Sequence, residues 1–335
     1  MAQYGKIMRT ILVLILGGLV VLASGCDTGP TGTPELTEVT VQLGTTHQAL
    51  YAGFYVADQQ GLFAREGLSV TFIEGSTNTD PVPAIVNGTA EFGMLGASSL
   101  ITAIADGQPV QAVATVLRRD PVVFFSLADS GIVRLQDFAG KRVYASLRLR
   151  PRLHTMLGHI GLDPSEIIEV REASLTDLYN GDIDVASGLV NTGVLSAREA
   201  GYEVNVIYPD DYGVHFYSST IFASNELIAS NPDLVTRFVR ASLEGWAFAV
   251  ENPQEIGPMV GLYNPDANTN FETASMIASL PYINTGKDHI GWMESQTWED
   301  MVASMHEQGE IDDPLPVSEI YTMQFVEQIY EQSSP

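Results

Sequence analysis

The sequence predicts an α/β chain of two lobes. Three observations carry that expectation. Short β-type runs alternate with helical runs from residue 39 onward, the pattern of parallel sheets with helices on their faces. The alternation breaks near residues 120–128 and then restarts, as a second lobe requires. The chain has 335 residues and 45% hydrophobic composition, enough for more than one core. Charged residues are 17% of the chain, which excludes a disordered chain.

The N-terminus stands apart from this pattern. Lys6 and Arg9 precede an apolar run, Ile11 to Leu22, and Ala23-Ser24-Gly25-Cys26 follows. A basic start, a short apolar stretch and small residues describe an export signal over residues 1–25. The run is too short to span a bilayer. Cys26 is the sole cysteine, so no disulfide framework is expected. Its place resembles a bacterial lipobox, which implies a lipidated Cys26 and a membrane-tethered chain. Ala23 stands where that motif usually has Leu, with Leu22 one place further out. A plain secretory signal with an incidental cysteine is the alternative. Residues 27–36, rich in Gly, Thr and Pro, read as a flexible tether.

The net charge is −25, and about −27 without residues 1–25. This argues against nucleic acid and anionic lipid as partners. It also makes a free anion harder to attract, although a local basic pocket would still hold one.

The elements follow in order. Val39 to Leu43 alternates and reads as a strand closed by Gly44. Tyr51 to Gln60 suits a helix ended by Gly61. Ser69 to Ile73 is a strand. The polar loop "GSTNTDP" offers Thr79 or Asp80 as a cap, with Pro81 at the first helical position. That helix ends near Asn87-Gly88. A buried strand at Phe92 to Leu95, a helix at Ala97 to Ala105, and strands at Pro109 to Leu117 and Val122 to Leu127 complete the first run. In the second, "LQDFAGKRVYAS" gives a short helix and a strand over Arg142 to Ala145. Helices at 153–160, 175–180 and 194–200 then alternate with strands at 167–170, 183–186 and 204–208. Beyond a strand at Ser218 to Ala223 the chain becomes mostly helical. Asn231 caps a long helix that starts at Pro232 and runs to about Val250.

These segments identify a family. "AGFYVADQQGLFAREGLSVTFIEG", "PVPAIVNGTAEFGMLGASSLITAIADGQPVQAVATV", "LQDFAGKRVYAS", "GDIDVASGLV" and "NPDLVTRFVRASLEGWAFAVENPQE" resemble, in this order, the NMT1/THI5-like solute-binding proteins of ABC importers. The resemblance covers about residues 37 to 300. It implies a two-lobe, periplasmic-binding-protein-like (type II) fold with a hinge and an interlobe ligand cleft. Lobe 1 would take residues 37–122 plus 218–335, and lobe 2 residues 123–217. The implied partners are a small molecule, an ABC permease with its ATPase, and the membrane through the anchor. The chain is expected to be an extracytoplasmic monomer with no cofactor.

Candidate ligand-binding residues come from loops at strand ends, where open α/β sheets bind ligands. The resemblance carries His47, Tyr51 and Phe54 into the pocket; the alternative is that these aromatics and Tyr55 are all core. Asn78 and Asp80 offer polar groups in the loop after the second strand, where a cap and turn is the rival reading. Ser98 and Ser99 sit at a helix N-terminus with outward-facing amides. Asn191 and Thr192 start a later helix. Tyr212 and His215, with Phe216 and Tyr217, flank the expected hinge as a second wall. Trp246, near Phe238 and Leu243, reads as core. Arg142, Arg148, Arg150 and Arg152 occupy a stretch where anion-binding relatives have a small Gly/Ser loop. This departure weakens a sulfonate or nitrate reading, and the commoner role for such arginines is a solvated face.

Enzyme signatures are absent. The six His show no close pair at metal-ligand spacing. Neither a Gly-x-Ser-x-Gly elbow nor a Gly-x-x-x-x-Gly-Lys loop occurs. The related pyrimidine synthase carries a cysteine-rich loop that this chain lacks. The resemblance implies capture of a small molecule; the aromatic segment and the absent anion loop favour a flat heteroaromatic vitamin, riboflavin first and a thiamine-precursor pyrimidine close behind. Ring stacking on aromatic faces would supply part of the affinity.

Overall fold

The computed structural model describes residues 35–76, 79–283 and 289–333. The signal segment, Cys26 and Asn78 lie outside these residues. Residues 36–335 make one compact unit. Its strands, in chain order, are β1 (Thr37–Gln42), β2 (Leu68–Ile73), β3 (Phe92–Leu95), β4 (Val110–Leu117), β5 (Val122–Leu127), β6 (Arg142–Tyr144), β7 (Ile168–Val170), β8 (Val185–Leu189), β9 (Val204–Ile207) and β10 (Ser218–Ser224). They form two five-stranded sheets, ordered β2-β1-β3-β10-β4 and β7-β6-β8-β5-β9.

The two sheets repeat one plan. β1 runs parallel to β2 and β3, and β10 lies antiparallel to β3 and β4. In the second sheet β6 runs parallel to β7 and β8, and β5 lies antiparallel to β8 and β9. Residues 118–121 and 208–217 connect one sheet to the other. β4 and most of β5 are buried along their length, which explains their nearly continuous apolar sequences. β1 buries Val39 and Val41 and exposes its first residues, which gives the alternation seen in the sequence.

Helices cover the sheets, and local chemistry fixes their ends. Asn231 accepts the Leu234 amide at 3.2 Å and Pro232 opens the helix Pro232–Glu251, as the sequence predicts. Trp246, 2% exposed, lies in the first-sheet core beside Phe238. Its helix packs against Ala52–Gln59 at a distance only glycine permits. A Cβ on Gly245 would stand 2.1 Å from the Gly53 carbonyl oxygen, and one on Gly53 2.1 Å from the Trp246 ring.

Two predicted boundaries shift. The helix expected from Tyr51 begins with a 3₁₀ turn, Ala49–Tyr51, and becomes α-helical at Ala52. The helix expected from Val194 is preceded by a π-turn over Val190–Val194, so Asn191 and Thr192 lie in that turn. Among the described residues no helix is long and apolar enough to cross a membrane.

Candidate functional site

The parallel strands of the first sheet end together, at Leu43–Thr45, Glu74–Ser76 and Leu95–Ser98. Their loops are drawn tight. Gly75 donates to the Thr45 carbonyl at 3.1 Å, and a Cβ there would stand 2.4 Å from the Leu43 carbonyl oxygen. The Tyr51 hydroxyl accepts the amides of Gly44 and Thr45 at 3.0 and 3.1 Å. In the second sheet the Ser146 amide donates to Ser187 Oγ at 3.1 Å, joining the loop after β6 to β8.

A seam crosses from one sheet's elements to the other's. Arg152, on the helix Arg150–His159, is 5% exposed. One guanidinium nitrogen donates to Ser98 Oγ at 2.9 Å and another pairs with Asp120 in the first connecting segment. The guanidinium lies 4.2 Å from the centre of the Phe216 ring, in the second connecting segment. Nearby, Arg119 pairs with Asp210, which also bonds His215 Nδ1, and Arg118 faces Glu294 at 3.6 Å. Burial works against the Asp210 charge, yet His215 and Arg119 hold its carboxyl below the ordinary value. A second bridge links Asn191 Nδ2 to Ser279 Oγ at 2.8 Å, on the helix Thr269–Ile283.

The predicted site residues separate into groups. His47 is half-buried; its ring nitrogen Nδ1 lies 2.9 Å from the Tyr55 hydroxyl, and its ring stacks 5.6 Å from Tyr263. Tyr51 is buried and acts through its hydroxyl, whose pKa burial pushes up to about 12. Phe54 corrects the pocket expectation: it is fully buried and packs on Phe72 and Phe238, so it belongs to the core. Asp80 accepts the Val82 amide at 3.0 Å in the turn before the helix Val82–Val86, whose N-cap is Pro81. Ser98 is engaged by Arg152, and Ser99 is half-buried beside it. The Ala97 amide, expected to point outward, donates to the Tyr217 carbonyl at 3.4 Å.

Asn191 is 5% exposed, and its Oδ1 has no hydrogen-bond partner among the described residues. Thr192 is half-buried in the same turn. Tyr212 accepts the Leu135 amide at 3.0 Å on its hydroxyl, and its carbonyl lies 2.6 Å from His159 Nδ1, which makes it a brace for the connecting segment. The solvated-face reading of the arginines is corrected at Arg152. Arg142 forks onto Asp184 at 2.7 and 3.0 Å on the surface.

The sequence did not reveal Tyr263, Glu272 and Ser279. Tyr263 stacks on Tyr55 at 4.4 Å, and Glu272 accepts the Ala49 amide at 2.6 Å. All three lie in the helical C-terminal third, more than 200 residues from the first-strand loop or some 88 from Asn191. No local motif announces such contacts.

The fold and the seam define a two-lobed protein of the periplasmic solute-binding architecture. A sulfonate-binding SsuA of Methylobacillus flagellatus matches over 89% of this chain and 95% of its own, with a TM-score of 0.70 at 15% identity. The chain belongs to the NMT1/THI5-like family, whose model matches residues 48–256. Among its relatives, the riboflavin-binding protein RibY of Chloroflexus aurantiacus is 27% identical, covering 95% of this chain and 99% of the relative. A formylaminopyrimidine-binding protein of Halalkalibacterium halodurans is 24% identical, covering 94% and 99%. A 4-amino-5-hydroxymethyl-2-methylpyrimidine phosphate synthase of Legionella pneumophila is 25% identical, covering 87% and 92%.

Proposed function

We propose that the chain is the substrate-binding protein of an ABC importer and captures a neutral, flat heteroaromatic vitamin, with riboflavin favoured over a thiamine-precursor pyrimidine. The observation that carries the ligand class is charge compensation at the seam. Arg118, Arg119 and Arg152 each face a carboxylate there: Glu294, Asp210 and Asp120. A sulfonate or nitrate gains most from an arginine whose charge is not already neutralised. A neutral ring needs shape, stacking and edge hydrogen bonds instead. The names of the two binding relatives agree with this reading.

In the proposed mechanism, lobe 1 (residues 37–122 plus 218–335) and lobe 2 (residues 123–217) close on the ligand about the two connecting segments. His47, Asn191 and Thr192 contribute polar edges. Cys26 carries the lipid that holds a monomeric, extracytoplasmic chain near its permease, and transport energy comes from the partner ATPase.

Residues 27–335 are to be titrated with riboflavin, aminopyrimidine thiamine precursors and taurine-like sulfonates by thermal shift and fluorescence quenching. Micromolar binding of riboflavin alone supports the favoured reading. Binding of the pyrimidine alone moves the vitamin and keeps the class. Response to sulfonates alone overturns it. Formation of a pyrimidine from pyridoxal phosphate and iron would instead place the chain with the synthases. A Cys26→Ser chain that stays in the membrane fraction overturns the anchor.

A further inference from the structure

The loop after β1 holds His47 from every side. Its amide donates to Glu74 Oε1 at 3.1 Å, and its carbonyl accepts from Asn264 Nδ2 at 3.4 Å. Its ring lies along Tyr263 with planes 30° apart. Tyr263 is fixed in turn by Tyr55, by Asp58 and by Gln59, whose Nε2 donates to its hydroxyl at 2.8 Å. The charged and titratable groups around the loop are Glu74, Asp58, Glu272, Tyr55 and Tyr263.

The proton on the His47 ring can be assigned from its neighbours. Tyr55 is completely buried, and among the described residues its hydroxyl makes one hydrogen bond, to His47. Its phenolic proton needs an acceptor, because an unpaired buried donor is costly. His47 Nδ1, at 2.9 Å, is that acceptor. A nitrogen that accepts carries no proton, so the ring hydrogen of neutral His47 sits on Nε2. Nε2 has no protein partner among the described residues. A second proton on Nδ1 would confront the Tyr55 hydroxyl and strand its hydrogen. Burial also lowers the His47 pKa, with Glu74 acting weakly in the opposite sense.

We propose that His47 is a specificity-determining residue: a neutral, Tyr55-fixed Nε2–H donor that selects a ligand bearing an acceptor on its ring edge, a carbonyl oxygen or an unprotonated ring nitrogen. This rests on the binding reading above and narrows its ligand chemistry. It also separates His47 from the other aromatics of its segment, since Tyr51 and Phe54 are closed into the core.

Two measurements test it. The first needs no ligand. In residues 27–335, which contain the whole compact unit, long-range ¹H–¹⁵N correlation of the His47 ring is expected to show a proton on Nε2 and none on Nδ1 at pH 7. The pattern should persist as pH falls below 6.5, the ordinary value for a histidine. Tyr55→Phe should erase the tautomer preference and raise the pKa. A proton on Nδ1 at pH 7 overturns the proposal.

The second uses riboflavin and an aminopyrimidine thiamine precursor as probes. His47→Ala is expected to weaken binding about tenfold, the worth of one hydrogen bond to a buried edge. His47→Gln, which returns an N–H near the Nε2 position, should recover most of it. Equal binding by wild type and His47→Ala overturns the proposal, whichever probe binds. If wild type binds neither probe, the vitamin reading falls, and the tautomer measurement by itself decides the assignment of His47.

Discussion

Arg152 carries a charge that belongs in water and is nonetheless 5% exposed, because Asp120, Ser98 and the Phe216 face replace its hydration. Removing one member of such a buried pair leaves the other charge without compensation. We expect Arg152→Ala to lower unfolding free energy by about 3 kcal/mol, read as a shift in urea midpoint. The charge on Asp210 is favoured by His215 and Arg119 against the opposing effect of burial. Because its folded pKa is depressed, its stabilisation is present above the ordinary carboxyl value of 3.8 and fades as pH drops through the folded value. Asp210→Asn should therefore melt lower than wild type at pH 7, and the gap should close in acid. At this scale the sequence was a partial guide. It placed His47 and Asn191 among its candidates, but it could not separate the buried Arg152 from the half-buried Arg142. Both lie in one basic stretch, and the contacts that distinguish Arg152, with Asp120, Ser98 and Phe216, are all distant in sequence.

Elements were more legible than sites because their signals are local. The Asn231-Pro232 pair marks a helix start through one side-chain bond and one missing amide hydrogen, both within a single turn. Asn231→Ala should cost about 1 kcal/mol, measured by thermal unfolding. The 3₁₀ turn at Ala49–Tyr51 escaped prediction because the Tyr51 hydroxyl and the Glu272 carboxylate shape it, and Glu272 lies 223 residues downstream. Helix-to-helix contact was equally hidden. Gly53 and Gly245 lie mid-helix, and no local signal shows that their helices meet there. Gly245→Ala should cost about 1–3 kcal/mol or more, since its new methyl meets backbone rather than a movable side chain.

At the scale of the whole molecule, the restart of the β/α pattern near residue 120 anticipated two sheets of the same plan. A repeated chain grammar produces a repeated topology, so this much needed no long-range information. Closure is different. The closure proposed above would use bridges such as Asn191 to Ser279, formed between residues 88 apart. Asn191→Ala should leave the melting temperature close to wild type, enlarge the radius of gyration in small-angle scattering, and weaken ligand binding about fivefold, the equivalent of one hydrogen bond near 1 kcal/mol.

The glycine contact between Ala52–Gln59 and Pro232–Glu251 has a mechanical consequence. Two helices locked backbone to backbone cannot slide, so they move as one stiff beam. On the two-lobe closure proposed above, bending would fall at residues 118–121 and 208–217, which join the two sheets. Deuterium uptake should divide accordingly: the beam exchanges last, at the rate of global unfolding, and the connecting segments exchange early and slow when a ligand holds the lobes together.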